Sequence, residues 1–243
     1  MCGISGYLTS SDKVSEDILK KMSIALFNRG PDNSGIWINE KYKIGLAHQR
    51  LSINDLSTAG SQPMLSKCKR FILVYNGEIY NNKFIREKIE KKYNFISWNG
   101  TSDTETLLNS LILFGVEETL DIIEGMFAFA FWDNQEENLI IARDRLGEKP
   151  VYFYKSSDFF IFASQICAIR NHPKISLEID QNILHNYLKF GYVNSNQSIY
   201  KNIYKLLPGK YLILSMRNMD LIQKSYWDVE KVINKEKKYK KNE

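Results

Sequence analysis

The order of hydrophobic patterns predicts an α+β fold of antiparallel sheets with segregated helices, and three observations carry that prediction. Strand-like runs come first, helical patterns cluster in the middle and strand-like runs return, instead of alternating as repeated βαβ units would. Adjacent apolar runs in the C-terminal half are separated by hairpin-length gaps at 133–137 and 155–158. The chain has 243 residues, 44% of them hydrophobic, enough for one large core or two small ones.

Each element follows from its local pattern. Gly3–Leu8 is apolar enough for a buried strand. Ser15 is a candidate N-cap for a helix reaching about Asn28, with Ile18, Leu19, Met22, Ala25 and Leu26 on one face. Arg29-Gly30-Pro31-Asp32 has loop composition. Strands are expected at Gly35–Asn39, Lys43–Ser52 and Phe71–Tyr80, then a helix from Asn82 to Tyr93. Asp103 or Thr104 would cap a helix over Glu105–Phe114, and Val116–Ile123 suggests another. Strands follow at Met126–Trp132, Asn138–Arg143, Val151–Tyr154 and Phe159–Ala163, a short helix at Ile183–Phe190 and a strand at Gly209–Leu214. Apolar strands with helices outside them make a layered architecture.

Charge and cysteines narrow the function classes. The formal charge is +5, but Lys231 to Glu243 holds six lysines and two glutamates, leaving the rest of the chain near neutral. That segment reads as a solvated tail or linker; only Tyr239 interleaves with its lysines, so a single-strand nucleic-acid platform is not indicated. Cys2, Cys68 and Cys167 lack metal-ligand spacing, and their odd number argues against a disulfide framework. No basic-then-apolar leader and no apolar run near eighteen residues is present, so a reduced cytoplasmic protein without a membrane span is expected.

Four segments carry chemistry. Removal of Met1 would leave Cys2 with a thiol and a free α-amino group, a nucleophile with a base on its own backbone. An α-amino group titrates near ~7.7–8.0, so at neutral pH much of it can accept a thiol proton. Arg50, at the end of a strand, offers a planar fork suited to a carboxylate, or to a surface salt bridge. His48 is better read as a satisfied core histidine than as a base for Cys2. Asn76-Gly77 fits a hairpin turn, or else two donors aimed at one oxygen. Asp103 fits helix capping, as Ser102 does, or contact with a substrate ammonium.

Seven segments in this order resemble a known family: Cys2-Gly3-Ile4, Arg29-Gly30-Pro31-Asp32, His48 to Ile53, Tyr75 to Asn81, Ser102 to Glu105, Gly125 to Phe129 and Arg143 to Pro150. Together they resemble the class II, N-terminal-nucleophile glutamine amidotransferases, and specifically the glutaminase half of glutamine-hydrolysing asparagine synthetase. The resemblance implies a four-layer αββα fold with two antiparallel sheets over 2–228, with 229–243 a basic tail or the start of a linker. It implies L-glutamine as substrate, Cys2 as nucleophile and its amine as general base. Arg50 and backbone near Ile53 would bind the α-carboxylate, Glu78 and Asp103 the α-ammonium, and Asn76 with Gly77 would form the oxyanion hole. It gives Arg143–Pro150 no catalytic role. The Arg-Gly-Pro-Asp form separates the chain from relatives acting on sugar phosphates or phosphoribosyl substrates.

The chain departs from that family in two places. No two of its thirteen glycines are adjacent, so the Ser-Gly-Gly-x-Asp-Ser pyrophosphate loop of the synthetase domain is not here. ATP and magnesium are therefore expected only in a synthetase domain outside this sequence, and no cofactor or metal within it. A split enzyme, a truncated product, a subunit needing a synthetase partner and the amidotransferase half of a sugar-modifying relative are the alternatives. Gln165 and Cys167 stand where the family usually has glutamate and often lysine. An amidohydrolase for other amides is disfavoured, because Arg50, Glu78 and Asp103 together suit an amino acid's two charged groups.

Overall fold

The computed structural model of the protein describes residues 1–53, 55–93, 96–193 and 196–233. Two six-stranded antiparallel sheets form its centre. The first half of the chain runs β1 (Gly3–Thr9), α1 (Glu16–Ile24), β2 (Asn33–Asn39), β3 (Ile44–Arg50), β4 (Met64–Leu65), β5 (Phe71–Ile79), α2 (Asn82–Lys92), α3 (Asp103–Leu113) and α4 (Gly115–Ile122). The second runs β6 (Gly125–Asp133), β7 (Asn138–Arg143), β8 (Tyr152–Lys155), β9 (Phe159–Ala163), α5 (Ile166–Arg170), α6 (Gln181–Phe190), β10 (Ile203–Lys205), β11 (Lys210–Ser215) and β12 (Leu221–Ser225).

One sheet has the order β10-β8-β9-β1-β3-β2 and the other β12-β11-β7-β6-β5-β4. Strand alternation explains how they stack. Ile4 and Leu8 on β1, Ile44 and Leu46 on β3, Ile72 and Val74 on β5, and Ala128, Ala130 and Trp132 on β6 share one core between the sheets. The intervening residues face outward. Leu73, Phe127, Phe129 and Phe131 pack with Ile85, Ile89, Leu107, Leu111 and Leu120 of α2, α3 and α4. Tyr7, Ala47 and Ile161 pack with Leu19, Met22, Ala168 and Ile169 of α1 and α5. The layers are thus helix, sheet, sheet, helix, as the family resemblance implies. Each fully buried large apolar side chain contributes about 1.5–3 kcal/mol, so the inter-sheet layer and both helix–sheet layers all hold the fold together.

Several elements differ from the sequence expectation for local reasons. The first helix ends at Ile24, and Phe27–Arg29 tighten into a 3-10 turn. Ser15 caps it as expected, accepting from Ile18 N–H. Ser102, rather than Asp103 or Thr104, caps α3 by accepting from Thr104 N–H. The Asn76-Gly77 pair makes no turn: β5 continues through it, with Asn76 opposite Ala128 and Gly77 opposite Phe127. Gly77 is needed for a packing reason, since a Cβ there would lie 2.3 Å from Met126 O. β4, β10, β12 and α5 were not expected from the pattern. Residues 234–243 of the lysine-rich segment lie outside the described residues.

Candidate active site

The site lies at one end of the inter-sheet layer, and the period-2 pattern puts its parts there. Ile4, Leu46 and Val74 mark the inner faces of β1, β3 and β5. Two residues further along each face come Cys2, His48 then Arg50, and Asn76 then Glu78. A cavity of about 150 Å³ opens at that end. Cys2, Arg50, Ile53, Asn76, Gly77, Glu78 and Asp103 all line it. The structure therefore brings together every candidate site residue named from the sequence.

Cys2 directly precedes the central strand β1, whose two edges pair with β3 and β9. Its thiol is half-buried and donates to Leu51 O at 3.6 Å, while Leu51 N–H donates to the sulfur at 3.3 Å. Arg29 Nε donates to Cys2 O at 2.9 Å and fixes the backbone behind the thiol. Asp32 accepts from Ser52 N–H at 2.7 Å, holding the Arg-Gly-Pro-Asp loop against the segment after β3. The terminal amine of Met1, which also borders the cavity, is pulled below its ordinary 8.0. Burial is the largest cause; Arg29 and Lys149 act in the same direction, and Cys2 and Asp32 oppose them.

Arg50 is held rather than free. Nη1 donates to Ser57 O at 2.8 Å and Nη2 to Asp55 O. Two of its five N–H groups are so engaged, and three remain for a carboxylate. A side chain at Gly60 would put its Cβ 2.4 Å from Nη2, which explains glycine there. Asp55 accepts from Ser57 N–H at 2.8 Å and from its hydroxyl at 2.6 Å, and also from Thr101 N–H at 3.2 Å. The Ser57 hydroxyl, with those amides, holds the Asp55 carboxyl down to about 2. Asp55 thereby latches the loop beneath Arg50 to the segment leading into Asp103. Ile53 is largely exposed at the rim.

With Ser102 capping α3, the carboxylate of Asp103 is free to act elsewhere. It accepts from Tyr75 O–H at 2.7 Å and Ile79 N–H at 2.9 Å. Burial raises its pKa, and those two bonds oppose the rise. The Tyr75 hydroxyl is pushed well above its ordinary value by burial and by the adjacent Asp103 charge. Asn76 is 1% exposed, and its Nδ2 has no hydrogen-bond partner among the described residues. A buried amide donor left unpaired carries a desolvation cost, and this one borders the cavity that holds Cys2.

His48 is 1% exposed, and its Nε2 lies 3.1 Å from Tyr75 O, a bond that joins the two sheets. Burial lowers its pKa to about 3, so it is a neutral tie between β3 and β5. The core position expected of it is what the structure shows, but the ring is satisfied at Nε2 alone, since Nδ1 has no hydrogen-bond partner among the described residues. Gln165 and Cys167 lie outside the cavity wall; Cys167 donates to Ala25 O at 3.5 Å. Sequence reasoning missed Tyr75, Asp55 and Lys149. Asp55-Leu56-Ser57 carried a usable signal, because an acid followed two residues later by serine favours a side-chain-to-backbone turn. Tyr75 carried none, since its side chain packs with the helix-facing cluster and its part in the site is the hydroxyl bond to Asp103.

Among the described residues no cluster of three His, Cys, Asp or Glu side chains could hold a metal ion. No helix among them is long and apolar enough to cross a membrane.

A family described as glutamine amidotransferase domain matches residues 1–227. Asparagine synthetase [glutamine-hydrolyzing] 3 of Bacillus subtilis is 34% identical across 95% of this chain and 37% of its own length. Putative asparagine synthetase [glutamine-hydrolyzing] 2 of Methanocaldococcus jannaschii is 35% identical across 94% of this chain and 47% of its own. The chain thus spans less than half the length of these curated relatives. A solved structure of glutamine phosphoribosylpyrophosphate amidotransferase from B. subtilis superposes with a TM-score of 0.67 at 17% identity, over 93% of this chain and 49% of that one. At that identity the superposition speaks to the fold alone.

Proposed function

This chain belongs to the glutamine amidotransferase domain family, and from that premise we propose that it hydrolyses glutamine to glutamate and ammonia through a thioester on Cys2. The supporting observation is that one cavity gathers a thiol, an unpartnered amide donor, a guanidinium and three carboxylates, of which Glu78 and Asp103 are the two placed for an ammonium. Free glutamine carries the matching groups: a side-chain amide, an α-carboxylate and an α-ammonium.

Arg50 and the backbone at Ile53 receive the α-carboxylate, with Glu78 and Asp103 on the α-ammonium. That clamp orients the side-chain amide toward Cys2. Once Met1 is removed, the Cys2 amine takes the thiol proton as the sulfur attacks the amide carbon. The carbonyl oxygen becomes an oxyanion facing Asn76 Nδ2 and Gly77 N–H, worth roughly 3–4 kcal/mol per donor in comparable sites. The C–N bond then breaks, and the proton held by the amine leaves with ammonia. Water adds to the γ-glutamyl thioester, the C–S bond breaks, and glutamate and the thiol are restored.

The length relation with the synthetases supports a wider role. In that role the chain is the ammonia-generating half of an asparagine-synthetase-like ligase in the cytoplasm, and acceptor activation with ATP and magnesium belongs to a synthetase domain or subunit. The direct test measures ammonia release from glutamine by the Met1-trimmed protein. Cys2→Ala lowers it by roughly 10⁴-fold or more, as loss of a nucleophile does elsewhere. Turnover that arises only after a synthetase protein is added would favour a partner-dependent subunit, and turnover retained in Cys2→Ala would refute the thioester route.

A further inference from the structure

The stretch Arg143–Pro150 carries a charge that the proposed mechanism has not used. Arg143 and Asp144 are 7% and 1% exposed, and both act on the backbone of one loop. Asp144 accepts from Leu146 N–H at 3.1 Å, Glu148 N–H at 2.9 Å and Lys149 N–H at 2.9 Å. It also accepts from Phe127 N–H at 3.3 Å, tying the loop to β6. Arg143 Nε donates to Lys149 O at 2.7 Å, Nη1 to Leu206 O at 2.6 Å and Nη2 to Gly147 O. Two buried charged side chains are thus committed to holding 144–149 in one shape. The residue this loop delivers to the cavity is Lys149, itself 6% exposed.

The Lys149 ammonium forms no hydrogen bond or ion pair among the described residues, although Glu78 lines the same cavity. The residue as a whole is buried, but its Nζ keeps access to the open space of the cavity. Its surroundings show what it faces. Met1 and Cys2 line the same cavity as Lys149, Arg29 of the 3-10 turn donates to Cys2 O, and Asp32 lies on the loop that follows. Glu78 of β5 borders the cavity, and Arg50, Asp55 and Asp103 line its recognition side.

We propose that Lys149 is a positioning residue for the glutaminase reaction: its fixed positive charge faces the N-terminal amine that serves as base. This inference rests on the glutaminase function proposed above and assigns a part to a loop that the family resemblance treats as structural. The physical reason is simple. An amine can accept the thiol proton only while neutral, and a nearby cation disfavours its protonated form. Arg29 supplies part of that field from behind, and Lys149 supplies it from within the cavity. Trimming Met1 moves the amine onto Cys2 itself and leaves the charge in place to act on it.

The experiment has two arms. In a Cys2→Ala background, trace acetylation of the terminal amine against pH, read by mass spectrometry of the N-terminal peptide, reports amine titration without any turnover. Lys149→Met raises the midpoint by about 0.5–1 pH unit, as expected for loss of one nearby charge in a partly screened site, and Lys149→Arg leaves it in place. With Cys2 intact, the acid limb of kcat/KM for glutamine moves the same way, so that activity one pH unit below the wild-type midpoint falls about 3- to 10-fold by the same reasoning. At pH 9 Lys149→Met recovers to near wild-type activity. A purely structural role would depress activity evenly at all pH values and leave the amine midpoint unmoved, and that result would overturn the inference. If the amine midpoint moves but wild-type protein releases no ammonia, the charge relation stands and the glutaminase function fails.

Discussion

The two walls of the cavity are built in opposite ways. On the recognition wall three of the four charged groups already have partners, Arg50 on two loop carbonyls, Asp55 on Ser57 and Thr101, and Asp103 on Tyr75 and Ile79, while Glu78 has no side-chain partner among the described residues. On the chemical wall Asn76 Nδ2 has none, the Cys2 sulfur meets only backbone groups of Leu51, and the Lys149 ammonium is unpaired among the described residues. The difference teaches how the site divides its work. Groups that bind the unchanging ends of a substrate gain from being held in advance, because ordering them at binding would cost entropy. Groups that meet charge developing during reaction gain from being left open, because only bonds stronger in the transition state raise the rate.

Substitutions on the two walls should therefore fail differently. The largest effect after loss of the thiol falls on the chemical wall: Asn76→Ala should lower kcat by about 10²–10³-fold with little change in KM, the loss seen when one oxyanion donor is removed. Steady-state kinetics with glutamine checks it. An effect confined to KM would make Asn76 a binding group and erase the contrast between the walls.

On the recognition wall, Arg50→Lys should raise KM by roughly 10-fold or more while kcat changes less, because a fork becomes a point charge. The loop at 55–57 also loses two donors, so its amides should exchange faster with deuterium. If KM stays within about twofold, the carboxylate is held elsewhere.

The smallest effect concerns neither wall but the tie behind them. His48 is held neutral by burial with a pKa of about 3, against an unfolded value near ~6.5. The unfolded chain binds a proton that the folded chain refuses, so this contribution is complete above about pH 6.5 and is lost as pH falls toward 3. His172, lowered to about 4 by burial and then by Lys174, acts with the same sign and is unaffected by a change at 48. Wild type should therefore lose about 1–2 kcal/mol more than His48→Gln between pH 6.5 and 5 in urea unfolding. Parallel pH profiles would mean that His48 is not neutral in the fold.

The sandwich was legible in the sequence because its strands are apolar on both faces, and β1, β5, β6, β7 and β9 stand out against polar neighbours. The elements that went unseen lack that signal. β4 has two residues and α5 has five, while Leu221–Ser225 of β12 is a mostly exposed edge strand that exists because β11 offers it a partner. Asn76-Gly77 shows the limit of local chemistry: a strong turn signal is overridden where nine residues of β5 pair with β6. Asp103 was ambiguous for a similar reason, since only the fold reveals that Ser102 caps the helix and leaves the carboxylate for Tyr75. Lys149 could not be recognised from its neighbours, because the charges that deliver it act through backbone groups.

The most direct measurement pairs intact mass with ammonia release on one preparation, for the native start and for a start with an extension that blocks methionine removal. Trimmed protein that releases ammonia beside an extended form that releases none is the expected result. An extended or Met1-bearing form that deamidates glutamine at the same rate would mean that the free amine on Cys2 is not the base.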